Sequence, residues 1–459
     1  MSERSLDIIV IGAGAAGREG AGRLAQAGLS VAILESELVG GECPFYACIP
    51  SKSLLRPEEA LTEARRIPGA AEAATGKLDV PAVLARRDEI IHNLEDSSYL
   101  PWLESQGIEL VRERGQLEGD RRVRAGDDTL VARKAVIVAT GTGPAMPPID
   151  GLSDAHPWTN RELTTAKAVP ASLAILGGGA VGAEMAQAWS TLGSEVTLIE
   201  ASDRLLGREE PFAAEEVATS LRERGVDVRL GAKAVAIHRE RTGGEVVVEL
   251  DEGPEVRAGE LAVAVGRRPR TGDLGLETVG LEPGKWIDVD DQLRATGVDG
   301  DWLYAVGDVN GRALLTHIGK YQARIASDNI LGKRAAATED GLRSSRVLFT
   351  DPQVAAVGHT LQSAQDAGLN VHTVEASTSA NAGGNFYGRN AVGTSRLVID
   401  DDRGVVVGAT ITGSEVADFL HAATIAVVGE VPLERLSHAV PAFPTRSEVW
   451  SVLMTELGF

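Results

Sequence analysis

Cysteine is scarce in this chain: Cys43 and Cys48 are the only two among 459 residues. Two thiols cannot build the disulfide framework of a small secreted domain, and they cannot supply a metal site that needs several thiolates. Both cysteines lie within one short segment. They therefore form a single candidate site rather than two.

Long apolar runs and positive charge are also limited. No stretch of about 18 apolar residues is present to span a membrane, and the N-terminal MSERSLDIIVIG lacks the layout of a signal peptide. Lys and Arg number 45 against 66 Asp and Glu, and the net charge of −21 repels nucleic-acid phosphates and anionic lipid. We therefore expect a cytoplasmic protein that binds neither nucleic acid nor membrane.

The composition is otherwise that of a globular protein, with 43% hydrophobic and 24% charged residues. The length suggests about three domains. After about residue 340 the pattern changes to strand-like AVGTSRLVID and VVVGATITG and a helical GSEVADFLHAATIAVV. This mixture is typical of a separate α+β domain.

A strand, glycine-rich turn, helix and second strand occur twice in this order. In the first copy the run DIIVI precedes the turn and the second strand ends at Glu35; in the other copy LAIL precedes the turn and the second strand ends at Glu200. The first glycine and the acid are 23 residues apart in both copies, since 35 − 12 and 200 − 177 are equal. The repetition predicts two Rossmann-like dinucleotide sites. Their turn residues are Gly12, Gly14 and Gly17 in the first, and Gly177, Gly179, Val181 and Gly182 in the second.

The glycines suit a pyrophosphate that lies almost against the backbone. The first glycine of each turn allows the tight bend, the second removes a Cβ that would block the phosphates, and the third lets the helix pack on the strand. Glu35 and Glu200 follow where a carboxylate accepts hydrogen bonds from ribose hydroxyls. A carboxylate at Glu200 repels a 2′-phosphate, so the second site is predicted to favour NAD over NADP. Arg204 either weakens this preference or is a solvated helix charge.

The cysteine segment reads GGECPFYACIPSK and ends at Lys52. On a regular helix, residues five apart are separated by ~7.5 Å of rise and ~500° of rotation, whereas a disulfide needs Cα atoms within about 7 Å. A Cys43–Cys48 disulfide would therefore require irregular backbone, and Pro44 favours a helix start. Lys52 would favour a thiolate nearby. Two inert, buried cysteines are the other interpretation.

With these motifs the chain resembles the class I pyridine nucleotide–disulfide oxidoreductases, the family of dihydrolipoamide dehydrogenase, glutathione reductase and mercuric reductase. Beside the two glycine turns, the matching motifs are CxxxxCxxSK at 43–52, ATG at 139–141, GRRP at 266–269, GD at 307–308 and FTDPQVAAVG at 349–358. The resemblance implies an α/β fold with two Rossmann-like dinucleotide-binding domains and a C-terminal α+β dimerisation domain. The implied domains are FAD-binding (1–150 and 271–338), NAD-binding (151–270) and dimerisation (339–459), in a homodimer.

The resemblance also implies residue roles. Cys48 would be the charge-transfer thiol against the flavin and Cys43 the interchange thiol facing the substrate. Lys52 and Glu184 would pair beside the flavin N5, and Glu448 would orient a catalytic histidine supplied across the dimer. No metal is implied. The implied FAD-binding residues are Gly12, Gly14, Gly17, Glu35, Gly41, Lys52, Thr140, Gly141, Gly307 and Asp308, the last on the ribityl chain; those for NAD are Gly177, Gly179, Val181, Gly182, Glu200 and Gly266.

The chain departs from the family at that histidine. The family's disulfide reductases read HPTxSE, whereas this chain reads FPTRSE, with Phe443 in the place of the histidine and Glu448 retained. Positioned proton transfer is worth roughly 10²–10⁴-fold in rate. Efficient exchange with lipoamide or a glutathione-like disulfide is therefore not expected. His438 and His317 either substitute in part or are structural or surface histidines.

Other departures bear on the acceptor. Pro44, Phe45 and Tyr46 stand where the family more often has Leu-Asn-Val, and the aromatic residues either stack on a planar acceptor or pack internally. The C-terminal SVLMTELGF lacks the cysteine pair that mercuric reductase would require.

Three functional interpretations follow. The leading one is an FAD-dependent enzyme that passes electrons from NADH through a Cys43–Cys48 redox disulfide, or directly from the flavin, to a small-molecule acceptor that is a disulfide or quinone-like. The alternative is a dihydrolipoamide dehydrogenase, either alone or within a multienzyme complex. The third is a flavoprotein retained as a structural subunit, which the intact cysteines, Lys52 and both glycine turns argue against.

Overall fold

The computed structural model describes residues 3–388 and 391–459. Its strands are β1 (Glu3–Ile11), β2 (Val31–Leu34), β3 (Glu109–Val111), β4 (Gly115–Leu117), β5 (Arg122–Ala125), β6 (Asp128–Val138), β7 (Thr142–Pro144), β8 (Ser172–Leu176), β9 (Glu195–Ile199), β10 (Asp227–Arg229), β11 (Ala234–Arg239), β12 (Val246–Leu250), β13 (Val256–Ala258), β14 (Glu260–Val263), β15 (Arg267–Pro269), β16 (Leu303–Ala305), β17 (Arg346–Leu348), β18 (Gln353–Gly358), β19 (Val371–Ser377), β20 (Thr394–Asp400) and β21 (Val405–Gly413).

The α-helices are α1 (Ala15–Gln26), α2 (Glu42–Tyr46), α3 (Cys48–Arg66), α4 (Val80–Ile90), α5 (Leu100–Ser105), α6 (Asn160–Thr165), α7 (Ala180–Thr191), α8 (Pro211–Glu223), α9 (Thr316–Ile330), α10 (Leu361–Asp366), α11 (Val416–Val428), α12 (Leu433–Leu436) and α13 (Val449–Glu456). Short 3₁₀ helices cover His92–Leu94, Ser97–Tyr99, Leu276–Val279, Gly307–Asn310, Gly384–Tyr387 and Arg446–Glu448. No helix of the described ranges is both long and apolar enough to cross a bilayer.

The chain divides into two compact units. The first contains Met1–Pro50, Asp88–Ala145 and Arg267–Gly341, and the second contains Ser51–Arg87, Met146–Gly266 and Leu342–Phe459. The three domains expected from the sequence remain a prediction.

The first unit is built on a seven-stranded sheet. Strands β3, β2, β1 and β6 are parallel neighbours, β16 runs parallel to β6, and β5 and β4 add an antiparallel edge. Along β1, Ile8 and Val10 pack into one hydrophobic core, whereas Ile9 and Ile11 pack into another. Successive strand residues face opposite sides of a sheet, so the unbroken apolar run arises because this strand is buried on both faces.

The described residues of the second unit form three sheets. Strands β10, β9, β8 and β14 form a parallel sheet, and β11, β12 and β13 form an antiparallel sheet. Strands β17, β18, β21, β20 and β19 form a five-stranded antiparallel sheet, against which α11 and α13 pack. The predicted α/β class, with two Rossmann-like sheets and a C-terminal α+β region, is confirmed.

Candidate functional site

The first glycine turn joins β1 to α1 in the first unit. Gly12 has φ +103°, a conformation that residues with a Cβ rarely adopt. Glu35, just after β2, receives hydrogen bonds from the Ala13 N–H at Oε2 (2.8 Å) and from the Glu37 N–H at Oε1 (2.8 Å). The carboxylate therefore ties the end of β2 to the turn.

The second glycine turn repeats this arrangement in the second unit. Gly177 has φ +104°. Glu200, just after β9, accepts hydrogen bonds from the Gly178 N–H (2.6 Å) and from the Ser202 N–H (2.7 Å). The guanidinium of Arg204 donates to carbonyl oxygens of its own loop, those of Gly207 (2.9 Å) and Glu209 (3.3 Å).

The glycine positions differ in the space around them. A Cβ on Gly14 or Gly179 would meet no atom within 4 Å, so both open onto free space beside a helix N-terminus. A Cβ on Gly17 or Gly182 would collide with the carbonyl oxygen of the first glycine of its own turn. The nearest obstacle directly follows β1 or β8, and a Cβ on Gly182 would also come within 3.4 Å of Leu198 on β9, so a side chain at the third glycine would push the helix away from the strands.

A cavity of about 710 Å³ lies in the first unit, beside the first turn. Thr140 lines it, and its Oγ1 is buried without a hydrogen-bond partner among the described residues. This orphaned hydroxyl and the open space at Gly14 fit a bound cofactor with polar groups, as FAD has. The predicted FAD residues that line the cavity are Gly12, Gly14, Glu35, Gly41, Thr140, Gly141, Gly307 and Asp308, together with Cys43; the predicted Gly17 and Lys52 are not among its lining residues.

Asp308 is held inside this cavity by residues that the sequence analysis did not predict. Burial raises the pKa of its carboxyl group, while a hydrogen bond from Thr142 Oγ1 (2.8 Å) and the charge of Arg267 act in the opposite direction. Arg267 Nε in turn donates to Thr142 Oγ1 at 2.6 Å. Arg267 lies in the GRRP motif, so only Thr142 lacked a signal of its own.

The backbone is irregular between the two cysteines, as a disulfide at this spacing would need. Helix α2 ends at Tyr46, and α3 begins at Cys48 after Ala47, whose φ and ψ are −137° and −98°. Both cysteines are half-buried thiols in this structure. Cys48 Sγ lies 3.6 Å from Thr316 Oγ1, at the first residue of α9. Thr316 lies in none of the sequence motifs, and its neighbour His317 was the residue considered from the sequence.

The aromatic residues between the cysteines have different environments. Phe45 is fully buried and packs edge-on against Tyr99, with ring centroids 6.0 Å apart. Phe45 is therefore an internal packing residue and cannot stack on an acceptor. Tyr46 lines the cavity, so the stacking interpretation applies to Tyr46 alone.

Lys52 and Glu184 form an ion pair in the second unit. Lys52 Nζ lies 2.6 Å from Glu184 Oε2, and the other carboxylate oxygen accepts the Phe349 N–H at 2.9 Å. Lys52 Nζ also lies 4.9 Å from the centroid of the Phe349 ring. Glu184 is only 4% exposed. A buried carboxylate needs partners, and the Lys52 ammonium group and the Phe349 N–H provide them.

The remaining predicted residues are spread over the second unit. Val181 on α7 is partly exposed, and Gly266 has φ +135°. Glu448 Oε2 accepts the Gly383 N–H at 3.1 Å. Phe443 is 78% exposed, and His438, which follows α12, is exposed as well.

Comparison with known proteins identifies the chain. Residues 6–327 match the model of the pyridine nucleotide-disulphide oxidoreductases, and residues 344–453 match the dimerisation domain of the same proteins. The chain belongs to this family. It is a flavoprotein disulfide oxidoreductase that uses FAD and NAD(P)H, and its dimerisation domain supports a homodimer.

Relatives within the family have different named activities. The chain is 32% identical to a dihydrolipoyl dehydrogenase of Thermus scotoductus over 452 residues, which is 97% of this chain and 96% of that protein. It is 30% identical to a mercuric reductase of Staphylococcus aureus over 455 residues, 96% of this chain and 80% of that protein.

Two solved structures resemble the whole chain. The HOCl-induced flavoprotein disulfide reductase RclA of Escherichia coli, in a Cu(II) complex, has a TM-score of 0.85 at 26% identity over 99% of this chain and 100% of that one. LpdA of Mycobacterium tuberculosis has a TM-score of 0.85 at 26% identity, with 100% of both chains covered.

Within residues 3–388 and 391–459, no group of three or more His, Cys, Asp or Glu side chains is placed to hold a metal ion.

Proposed function

We propose that this oxidoreductase passes electrons from NADH, through its flavin and the Cys43–Cys48 pair, to an acceptor that needs no positioned base. Such an acceptor is a quinone-like planar molecule or a disulfide whose leaving thiol has a low pKa. The observation that carries the proposal is Phe443, an apolar side chain at the position of the family's catalytic histidine. Its exposed ring brings no group that could move a proton.

The residues of the first unit suit electron transfer through sulfur. A bound FAD would supply the two-electron chemistry between the nicotinamide and the sulfurs. Cys43 lines the same cavity as the predicted FAD residues. Cys48 lies at the N-terminus of α9, where the helix dipole and the Thr316 hydroxyl favour a thiolate.

The second glycine turn supports NADH as the donor. One oxygen of Glu200 accepts the N–H of Gly178 in the turn and the other accepts the N–H of Ser202 after β9, so the carboxylate is held beside the turn. Arg204 is engaged with carbonyl oxygens of its own loop, which leaves it poorly placed to bind a 2′-phosphate. A fixed carboxylate without a competing arginine favours NADH over NADPH.

Without the histidine, acceptors that expel a leaving thiolate should react more slowly than acceptors that expel nothing. A disulfide such as lipoamide needs its leaving thiolate protonated, and positioned proton transfer is worth roughly 10²–10⁴-fold. A quinone accepts electrons without expelling a leaving group. Tyr46 is the aromatic residue of the cysteine segment that lines the cavity, so it is available to stack on a planar acceptor.

Steady-state assays test the proposal directly. With NADH as donor, we expect fast reduction of benzoquinone and slow reduction of lipoamide. Phe443→His should raise lipoamide turnover by about 10²-fold and leave benzoquinone turnover unchanged, whereas the control Phe443→Tyr should raise neither. Lipoamide turnover by the unmodified enzyme at ordinary enzyme rates would contradict the proposal.

That contrary result would favour a dihydrolipoyl dehydrogenase, the named activity of the Thermus scotoductus relative. His317 supports this second candidate because it follows Thr316, whose hydroxyl lies 3.6 Å from Cys48 Sγ. His317→Gln would then abolish lipoamide turnover. A long-wavelength thiolate–flavin absorbance after NADH addition would rule out an inert flavoprotein subunit.

A further inference from the structure

A buried amide lies behind the turn that carries Asp308. Gln322, on α9, is 0% exposed. Its Oε1 accepts the Gly307 backbone N–H at 2.7 Å and the Asn310 side-chain N–H at 2.9 Å. Gly307 and Asn310 are the first and last residues of the short 3₁₀ helix that contains Asp308. One side-chain oxygen therefore joins both ends of this helix.

Helix α9 can bring this amide to the turn because a glycine precedes it on the same face. Gly319 and Gln322 are three residues apart, a spacing that places side chains on one side of an α-helix. A Cβ on Gly319 would lie 3.2 Å from Gly307 Cα and 3.3 Å from Ala16 Cβ, which is closer than ordinary van der Waals contact. The lack of a side chain at Gly319 therefore lets α9 approach the turn.

The other end of the amide is held as well. Gln322 Nε2 donates to Asp340 Oδ2 at 2.8 Å, and Asp340 is 1% exposed. Asp340 Oδ1 pairs with Arg312 at 2.9 Å. Burial raises the pKa of the Asp340 carboxyl group, whereas the hydrogen bond from Gln322 and the charge of Arg312 act in the opposite direction. Since Nε2 donates to Asp340 and Oε1 accepts at the turn, only one orientation of the amide satisfies all of these partners.

The turn that Gln322 holds faces the flavin cavity. Gly307 and Asp308 both line this cavity. The side-chain neighbours of Asp308 are Thr142 Oγ1 at 2.8 Å and Arg267 Nε at 4.0 Å, and both act on its carboxyl group. Gln322 instead contacts the backbone, at the residue just before Asp308. A buried donor that loses its acceptor is costly, so this contact should hold the backbone of the turn in place.

We propose that Gln322 is a positioning residue for FAD, which sets the place of Asp308 in the cavity, and that Asp340 holds the Gln322 amide in the orientation that this requires. Neither Gln322 nor Asp340 is among the residues that line the cavity, so both act through the turn and not by contact with the cofactor. The inference rests on the predicted contact between Asp308 and FAD. It does not depend on the electron acceptor.

A double-mutant cycle on FAD affinity tests the inference. The holoenzymes of the unmodified chain, Gln322→Met, Asp308→Ala and the double variant are diluted, and the fluorescence of released FAD gives each dissociation constant. We expect each single substitution to weaken FAD binding by about tenfold or more. The double variant should bind FAD no more weakly than Asp308→Ala, because residues that act through one contact give non-additive losses. If Gln322 had a purely structural role, the two losses would multiply.

An exchange of the amide and the carboxylate provides a rescue. Gln322→Glu alone places two carboxylates at the 2.8 Å separation of the present hydrogen bond, where like charges oppose each other, so FAD should be released more readily. The double variant Gln322→Glu, Asp340→Asn again sets a donor against an acceptor and keeps the total charge, while Arg312 retains Asp291 at 3.4 Å. Its FAD affinity should return close to that of the unmodified enzyme. This pair decides the question if Gln322→Met does not fold.

Asn329→Leu is the matched control. Asn329 is a half-buried amide on the same helix, and its Nδ2 donates to the carbonyl oxygens of Ile325 at 3.0 Å and Ala335 at 2.8 Å. None of these three residues is among those that line the cavity. The FAD affinity of this variant should therefore match that of the unmodified enzyme.

Four results would overturn the inference. They are multiplied losses in the cycle, an unchanged FAD affinity in Gln322→Met, an exchange variant that binds FAD as weakly as Gln322→Glu, and an Asn329→Leu variant as weak as Gln322→Met. An unchanged affinity in Asp308→Ala would also overturn it, because the predicted contact with FAD would then be absent. None of these results concerns the electron acceptor, so the proposed function would stand.

Discussion

At the scale of single residues, the choice between NADH and NADPH depends on the charge of Glu200. Glu200→Gln removes the negative charge but keeps an oxygen that can accept one of the two backbone N–H groups. We expect the ratio of kcat/KM for NADPH to that for NADH to rise by about tenfold, which corresponds to ~1.4 kcal/mol. Steady-state kinetics with both nucleotides measure this ratio.

Glu195→Gln is the matched control for this prediction. Glu195 begins the same strand, β9, that Glu200 follows, and it is exposed at the opposite end. The nucleotide ratio should not change in this variant. Equal shifts in the two variants would indicate that total charge, and not a ribose contact, sets the preference.

The residues that sequence could predict are those fixed by local spacing. Glu35 and Glu200 were predictable because a strand, a tight turn and a helix place the acid at a set distance along the chain. Thr316 could not be predicted as a neighbour of Cys48, because 268 residues separate them and only the folded chain brings them together. Phe45 and Tyr46 could not be told apart, since adjacent residues on a helix point about 100° apart and only packing decides which is buried.

At the scale of elements, substitutions at two glycines of the first turn should have different effects, one on FAD binding and the other on folding. Gly14→Ala adds a Cβ that meets no protein atom within 4 Å, so the unfolding free energy of the apoprotein should stay within about 0.5 kcal/mol of its original value. The same Cβ occupies the space predicted for the pyrophosphate, so FAD affinity should fall at least about tenfold. Urea unfolding of the apoprotein and a flavin fluorescence titration measure the two quantities.

Gly17→Ala is the second substitution, and we expect it to reduce the stability of the apoprotein. Its Cβ would collide with the Gly12 carbonyl oxygen, and such overpacking costs about 1–3 kcal/mol or more. The apoprotein itself should therefore be destabilised. The prediction for Gly14 fails if both variants lose stability equally.

Strands could be predicted from the sequence where burial on both faces produces an unbroken run of apolar residues. The runs DIIVI and LAIL became the central strands β1 and β8, because strands buried on both faces need apolar residues at every position. The short strands β7 and β15 pair with each other over three residues each. Strands this short carry no periodic signal, and only their pairing defines them.

At the scale of the whole molecule, exposed apolar side chains near the C-terminus require an explanation. Val440 is 83% exposed and Phe443 is 78% exposed in the isolated chain. Both lie within the match to the dimerisation domain. Apolar side chains of this size gain about 1.5–3 kcal/mol each when buried, so the homodimer offers a physical reason for their exposure on one chain.

The unmodified protein should therefore have a mass of about twice 48.1 kDa in sedimentation equilibrium. A Val440→Glu, Phe443→Glu double variant should shift towards 48.1 kDa at micromolar concentration, because two carboxylates would have to be buried in the interface. The control Val235→Glu places the same charge at a 44% exposed position on β11, in the three-stranded sheet of the second unit, and should stay dimeric. A double variant that stays dimeric would show that the dimer contact lies elsewhere. The exposure of Phe443 would then have to be explained by the acceptor and not by the dimer.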